Sequence, residues 1–600
     1  MRGLQRPFAV LLGVLALCGG SPWAGAQAPA AGPISLFPPT ATAPETGPAA
    51  PSAAPAAAAT PQGPAGGIQV DRLGELDSES LGILDSASGG LGPQVWTGSD
   101  RQAIEALLRR LPDDPRSPTL RDLTTRLLLT SASAPLRLAA GGATPTMADA
   151  IAAAQADDFL RLRAERLYAM GELEGLSRLL ALVPQQVDDP WLAQARVDGL
   201  LLEGRDGEAC GQVRGGLARF PQELFWAKAL VFCQFVDGQT DQALLGLDLL
   251  REQAPGSDPG FFDLANLFLG AGAGAIDAAE LTPLTLAMLR AGGGALPPDL
   301  AAAARPLLLH GVAALGGADP ALRAEAVERL VEVGALPGAR LAGAYAAFEF
   351  TEAELSAALS AAEVSGGPRG RALLYRAANR ETLAATRAET LRAAVLAAEE
   401  AGRATAMVRA LLPLLSELPP TPELAWFAPL AARSLYRLGR YDQAGAWLAL
   451  LRIDGFRHPE SQQAYAALLP LRRLAGGAEP LAGELPEDAD AAAAERRLLL
   501  FVLSRSLGQK ELFSWLEVAP PGHSEGRLLP ALPSLLALGD AGAAGRRGET
   551  VLLVSAALDR GDPAVSHPLA LGYAVAALQA AGLDREARAL AIEAALAAGL

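Results

Sequence analysis

Side chains able to do acid–base, nucleophilic or metal chemistry are few and scattered in this chain. The four histidines, His310, His458, His523 and His567, stand tens of residues apart. Structural zinc needs His or Cys ligands in close pairs. No pair here has that spacing, and Cys18, Cys210 and Cys233 are the only cysteines. Gly522-His523-Ser524-Glu525-Gly526 spells the G-x-S-x-G string that can carry a serine nucleophile. That chemistry needs a strand before the serine, a helix after it, and acid and histidine partners. Pro520-Pro521 precede the string in helix-patterned sequence, and only His567 follows it. It reads as an inter-helix loop.

Two other strings fail for similar reasons. Glu460-Ser461 resembles the glutamate–serine pair of lytic transglycosylases, but the glycine-rich sequence that should follow is missing. Lys228 and Lys510 are the only lysines, and neither closes a G-x-x-x-x-G-K phosphate loop. No catalytic residue, metal ligand or cofactor is therefore expected.

Composition narrows the classes further. The 600 residues carry 50 basic and 66 acidic side chains, a formal net charge of −16. Phosphate backbones are bound by clustered cations, and no Lys/Arg-rich block occurs, so nucleic acid is not an expected partner. Mean hydropathy is +0.22, yet the apolar residues are spread as Ala and Leu between charges. Beyond the N-terminus no uncharged apolar run reaches the roughly 18 residues a spanning helix needs. The chain is not expected to be an integral membrane protein.

Residues 1–26 read as a secretory signal peptide. Arg2 and Arg6 precede an apolar stretch from Pro7 to Leu17, and Ala24-Gly25-Ala26 supplies a small-residue cleavage site. Cleavage after Ala26 predicts a periplasmic protein. Leu15-Ala16-Leu17-Cys18 offers a competing lipoprotein anchor at Cys18, weakened by the bulky Leu17 before the cysteine. Residues 27–67 are almost wholly Ala, Pro, Gly, Ser and Thr, with Glu45 as their one charge. Such a segment cannot offset backbone entropy by burial, and a disordered linker is expected.

Residues 68–95 follow as an extended acidic-apolar segment. It echoes itself: Leu73-Gly74-Glu75-Leu76-Asp77-Ser78, then Leu81-Gly82-Ile83-Leu84-Asp85-Ser86. Leu73, Leu76, Leu81 and Leu84 are candidate docking residues, either on this chain's own first helices or on a partner. Both readings stand at this point.

From Ser99 onward the apolar period is 3.6 rather than 2, and the expected class is all-α. Gly171, Gly204 and Gly238 lie 33 and 34 residues apart, each between two apolar helical stretches. Ala209 and Ala243 sit five residues after the last two glycines, and Pro221 and Pro255 sit seventeen after them. Leu435-Tyr436-Arg437-Leu438-Gly439-Arg440-Tyr441-Asp442-Gln443-Ala444 repeats this grammar, as does the stretch from Leu578 through Gly582 to Ala587. The pattern resembles the tetratricopeptide repeat (TPR), a 34-residue helix-turn-helix. Glycine serves the turn, alanine lets two backbones approach, and proline stops the second helix. There are departures: Leu176 stands where alanine is expected, Pro184 comes four residues early, and residues 260–420 lack the glycine–alanine spacing.

The resemblance implies a right-handed superhelix of antiparallel helix pairs, a TPR-like α-solenoid, after the disordered tether. Each repeat is expected to touch only its neighbours. The expected divisions are an N-terminal helical region over 96–260, a central hairpin region over 261–475 with a TPR-like repeat near 425–456, and a C-terminal helical region over 487–600. Gly476 to Pro486 is the longest Gly/Pro/acidic gap. Cys210 and Cys233 fall on helices that stack as neighbours, so a disulfide is feasible, with burial as free thiols the competing reading. Trp191, Trp226, Trp426, Tyr436 and Tyr441 sit on the clearest repeats and are expected to be core rather than contact residues.

Function follows as an expectation only. Helical-repeat surfaces bind peptides and protein faces, so a periplasmic scaffold or adaptor in a cell-envelope assembly is expected. The alternative is an envelope enzyme, glycan-active, whose site has no recognisable motif.

Overall fold

The computed structural model of the protein describes residues 78–136, 159–183, 188–254, 258–272, 276–477, 491–510, 527, 529–558 and 561–600. The signal peptide, the 27–67 linker, Leu73, Leu76 and the Gly522–Gly526 string lie outside the described residues. All described residues belong to one unit that spans Leu73–Leu600. They form 27 α-helices and no strand; the one β element is an isolated parallel bridge between Leu84 and Thr130. No described helix is long and apolar enough to cross a membrane.

Local chemistry explains where the helices begin. α1 (Arg101–Arg109) starts at Asp100, whose side chain accepts from the Ala103 amide at 3.0 Å. α2 (Pro118–Leu129) starts at Ser117, which accepts from the Leu120 amide at 3.1 Å and is followed by Pro118 at the first helical position. Both arrangements satisfy helix amides that otherwise lack partners, and proline loses nothing there.

The repeat grammar around Gly171, Gly204 and Gly238 becomes three hairpins. They are α3 (Phe159–Met170) with α4 (Leu173–Leu182), α5 (Pro190–Leu202) with α6 (Asp206–Arg219), and α7 (Leu224–Val236) with α8 (Thr240–Gln253). Gly171, Gly204 and Gly238 take φ of 72°, 74° and 74° at the turns. This left-handed conformation lets Glu172, Arg205 and Gln239 donate back to the Leu167, Leu200 and Gln234 carbonyls at 2.8, 2.9 and 2.7 Å. Ala209 and Ala243 are fully buried between the paired helices. α4 is the short one, ending before Pro184 as its sequence departs from the repeat.

Helix α6 also carries glycines that packing does not require. A methyl at Gly211 or Gly215 would meet nothing within 4 Å, whereas one at Gly216 would strike the Trp226 ring at 2.2 Å. Glycine inside a helix costs about 0.5–1 kcal/mol relative to alanine. Gly211→Ala and Gly215→Ala should each raise the urea midpoint by that increment, and Gly216→Ala should lower it. A fall for all three would show that the outer face of α6 is covered.

The central helices are α9 (Pro259–Ala265), α10 (Pro283–Ala291), α11 (Leu300–Ala303), α12 (Pro306–Ala314), α13 (Pro320–Val333) and α14 (Gly338–Ala346). They are followed by α15 (Glu352–Ser356), α16 (Ala358–Ser365), α17 (Gly367–Arg380), α18 (Ala384–Glu400) and α19 (Ala404–Glu417). α10 turns back to pack on α5, and α12 packs on both α3 and α5. A buried ion pair ties the middle together. Glu328 of α13 takes two bonds from Arg371 of α17, at 2.9 and 2.6 Å, and a third from the Tyr345 hydroxyl of α14 at 2.7 Å.

The last helices are α20 (Ala428–Arg437), α21 (Tyr441–Asp454), α22 (Pro459–Leu474), α23 (Ala491–Ser506), α24 (Leu532–Ala543), α25 (Arg547–Ala557), α26 (Pro568–Ala580) and α27 (Asp584–Ala597). α26 packs on both α23 and α24, so the final hairpin sits between elements that precede it in sequence.

One expectation is overturned here: the stack is not limited to neighbours. α1 and α2 pack on α25, and α2 also packs on α27. The Ser117 amide donates to the Gly561 carbonyl at 2.9 Å, and the Gly548 amide donates to the Val95 carbonyl at 3.0 Å. Arg126 pairs with Glu586 at 2.8 Å, and the Thr124 and Ser555 hydroxyls meet at 3.2 Å. The apolar face of α2 explains it. Leu120, Leu123, Leu127 and Leu128 are all within 1% of complete burial, more than one flanking hairpin could cover.

Candidate functional site

A cleft of about 730 Å³ lies between the end of α10 and the start of α13, with Pro368 on its rim. Its walls are Leu289, Leu296, Leu315 and Leu322 with glycine-rich turns, and three ionisable residues border it. Each of the three is engaged elsewhere. Arg290 donates to the Asp206 carboxylate and the Leu201 carbonyl. Asp319 accepts from the Ala321 amide at 2.8 Å as the cap of α13, and Glu325 faces Arg403 at 3.9 Å. The cleft's walls are mainly apolar, and its charged residues lie at the border.

A second cleft of about 380 Å³ is floored by Phe220 and Trp226 and edged by Arg196 and Arg219. Burial, and then the like charge of Arg219, hold the Arg196 guanidinium below the usual arginine range. Arg196 donates to the Leu180 and Val183 carbonyls at 3.0 and 3.2 Å, which closes the end of α4. Arg219 pairs with Asp188 at 2.8 Å.

The described histidines act in turns and caps. His310 bonds the Gly171 carbonyl through Nε2 at 2.7 Å, and burial pushes it down to about 4. His567 caps α26, its Nδ1 accepting from the Leu569 amide at 3.1 Å. His458 Nδ1 lies 3.0 Å from one oxygen of Asp454, and Ser461 donates to the other at 2.5 Å. Serine and histidine thus share an aspartate, and the Ser461 amide also donates to the His458 carbonyl at 3.1 Å. Glu460 is exposed beside this turn. His523 lies outside the described residues. Among the described residues no group of three or more His, Cys, Asp or Glu side chains could hold a metal ion.

Cys210 of α6 and Cys233 of α7 are joined by a disulfide, with Cα atoms 5.5 Å apart. Of the candidate docking leucines, Leu81 and Leu84 are half-buried against this chain's own core. The Ile83 and Leu84 amides donate to the Leu129 carbonyl at 2.9 and 3.0 Å, and Ser131 returns a bond to Leu84 at 2.8 Å. Glu79 anchors the segment: it grips the buried Arg101 at 2.7 and 2.5 Å and accepts from the Phe159 amide at 3.1 Å. Gly82 approaches Ser131 so closely that a Cβ would lie 2.3 Å from its nitrogen. Leu81 and Leu84 are therefore not a free docking surface; the segment from Ser78 onward lies on its own helices.

Trp226 and Tyr436 are buried, and Trp191 and Tyr441 are partly so. Trp426 departs from the core expectation at 44% exposure. It precedes α20, and Ile453 and Phe456, at the far end of the paired α21, are also exposed, Phe456 to 87%.

Two carboxyls escaped the sequence reading. Asp198 of α5 is buried; it accepts from the Tyr168 hydroxyl at 2.9 Å, and its Oδ1 has no partner. Glu593 of α27 accepts from the Ser117 hydroxyl at 2.9 Å and the Thr119 amide at 3.4 Å. Burial pushes Asp198 up to about 7, whereas Glu593 is only half-buried. The available signal was an acid within an apolar helical run, as in Val197-Asp198-Gly199-Leu200 and Ala591-Ile592-Glu593-Ala594. Neither lines either cleft. No protein-family model, curated protein or solved structure matches this chain.

Proposed function

We propose that this chain is a periplasmic scaffold or adaptor, exported by a signal peptide cleaved after Ala26, that binds protein partners within a cell-envelope assembly. In this reading α3 to α8 coil as a right-handed TPR-like stretch, and residues 27–67 are a tether. One observation carries it: a cleft of about 730 Å³ is walled mainly by leucines, and its bordering Arg290, Asp319 and Glu325 each face a partner within the chain. Acid–base chemistry needs groups free to exchange protons with a substrate, whereas a protein-binding surface needs exposed apolar anchors. Trp426 and Phe456 are such anchors, exposed in the turns that flank the α20–α21 pair.

Cross-linking in the native periplasm, read by mass spectrometry, tests the proposal. The expected result is one stoichiometric protein partner, lost in a Trp426→Ser/Phe456→Ser variant that keeps its helical circular dichroism. A chain that runs as a monomer with no partner at any expression level would contradict it.

A further inference from the structure

Three cations from separate stretches of the sequence line one cleft of about 490 Å³: Arg473 near the end of α22, Lys510 after α23 and Arg588 of α27. α22, α23 and α27 pack on one another, which brings the three positions together. Leu507, Gln509 and the Gly476-Gly477 turn complete the wall, and among the described residues no carboxylate lines it.

We propose that this cleft binds a phosphate-type oxyanion, free or as the phosphate group of a small molecule, with Arg473, Lys510 and Arg588 as its cationic ligands. In a chain of net charge −16, carboxylates to pair with a cation are plentiful. Lys228, the other lysine, pairs with Asp258 at 2.9 Å. Arg473, Lys510 and Arg588 make no ion pair among the described residues. Asp584 stands one turn before Arg588 on α27 without pairing to it, and Glu586 is taken by Arg126 at 2.8 Å.

Helix ends explain part of this arrangement. Arg473 and Lys510 lie at the carboxyl ends of α22 and α23, where partial negative charge favours cations. Arg588 is different, because it lies in the second turn of α27, far from that helix's carboxyl end. Like charges gathered on one cleft repel, and an anion seated between them removes the repulsion. Arg473 is also fixed in place. Its guanidinium donates to the Lys510 carbonyl, and the Gln509 side-chain amide donates to the Arg473 carbonyl at 2.7 Å. The Arg473 Nε is buried with no partner among the described residues.

A phosphate fits this charge better than a carboxylate does. Three cations match an oxyanion that carries more than one negative charge, and guanidinium and ammonium groups both bind phosphate oxygens. Leu507 adds an apolar contact for the body of a small phosphate ester.

Calorimetric titration of the full chain at fixed ionic strength tests the site, with inorganic phosphate, glycerol phosphate and acetate as probes. Saturable binding of phosphate or its ester is expected, with none for acetate over the same range. A tighter ester would mark a small molecule as the source of the anion, and equal affinities would mark the free ion. Lys510→Gln and Arg588→Gln alter exposed side chains. Each should weaken binding about tenfold or more, the usual effect of losing one charge-assisted bond. No saturable binding by the wild type would overturn the proposal, as would unchanged binding in both variants or equal binding of acetate. So would binding that appears only after Glu479, Glu484, Glu487, Asp488 and Asp490 are all neutralised, because the chain's own acidic stretch would then be the occupant.

Discussion

Replacing Arg371 with Met should cost about 3–5 kcal/mol of unfolding free energy, the typical cost of leaving a buried charge without its partner. Glu328 has no exposed surface and Arg371 has 7%. Their two bonds, with the Tyr345 hydroxyl, are what compensate the carboxylate. Removing only the cation strands the anion where water cannot reach it. A triple change, Glu328→Leu with Arg371→Met and Tyr345→Phe, should recover most of the loss, because burying an ion pair gains little over apolar packing. Urea denaturation followed by circular dichroism reads both. A single variant within about 1 kcal/mol of wild type would mean that α13 and α17 separate easily enough to hydrate Glu328.

Breaking the disulfide should have the second-largest effect. Cys210 and Cys233 close a loop of 23 residues between α6 and α7, and a loop of that size is worth about 3 kcal/mol in restricted chain entropy. Cys210→Ser/Cys233→Ser should therefore lower protection against exchange over residues 190–253 first, with the α17–α19 region unaffected. Equal loss everywhere would show that the chain unfolds as one cooperative unit. No loss would show that helix stacking alone holds α6 to α7.

What was legible in the sequence was local. Gly171, Gly204 and Gly238 announce their turns because only glycine takes positive φ freely, and each needs just five residues to close its hydrogen bond. Ala209 and Ala243 announce the close helix pairs for the same reason of proximity. The early Pro184 correctly marks α4 as short. The contact of α2 with α25 and α27 was not legible. Nothing near Ser117 or Thr124 in sequence names Glu593 or Ser555 as partner, and the repeat grammar argues for nearest neighbours only. Trp426 departs from expectation because an aromatic before a helix start carries no periodic phase to say which way it faces. Asp198 and Glu593 stay hidden because a single acid in an apolar run gives no hint of whether a hydroxyl waits opposite it.

The closure of the first helices on the last is the claim that most separates this fold from an open row of repeats. Thr124 and Ser555 test it most directly, since their hydroxyls lie 3.2 Å apart although 431 residues separate them in sequence. With both changed to Cys, mild oxidation should join them within the monomer, giving a faster band on non-reducing gels and a linked peptide by mass spectrometry. A pair that stays reduced, or that links only between molecules, would contradict the closure.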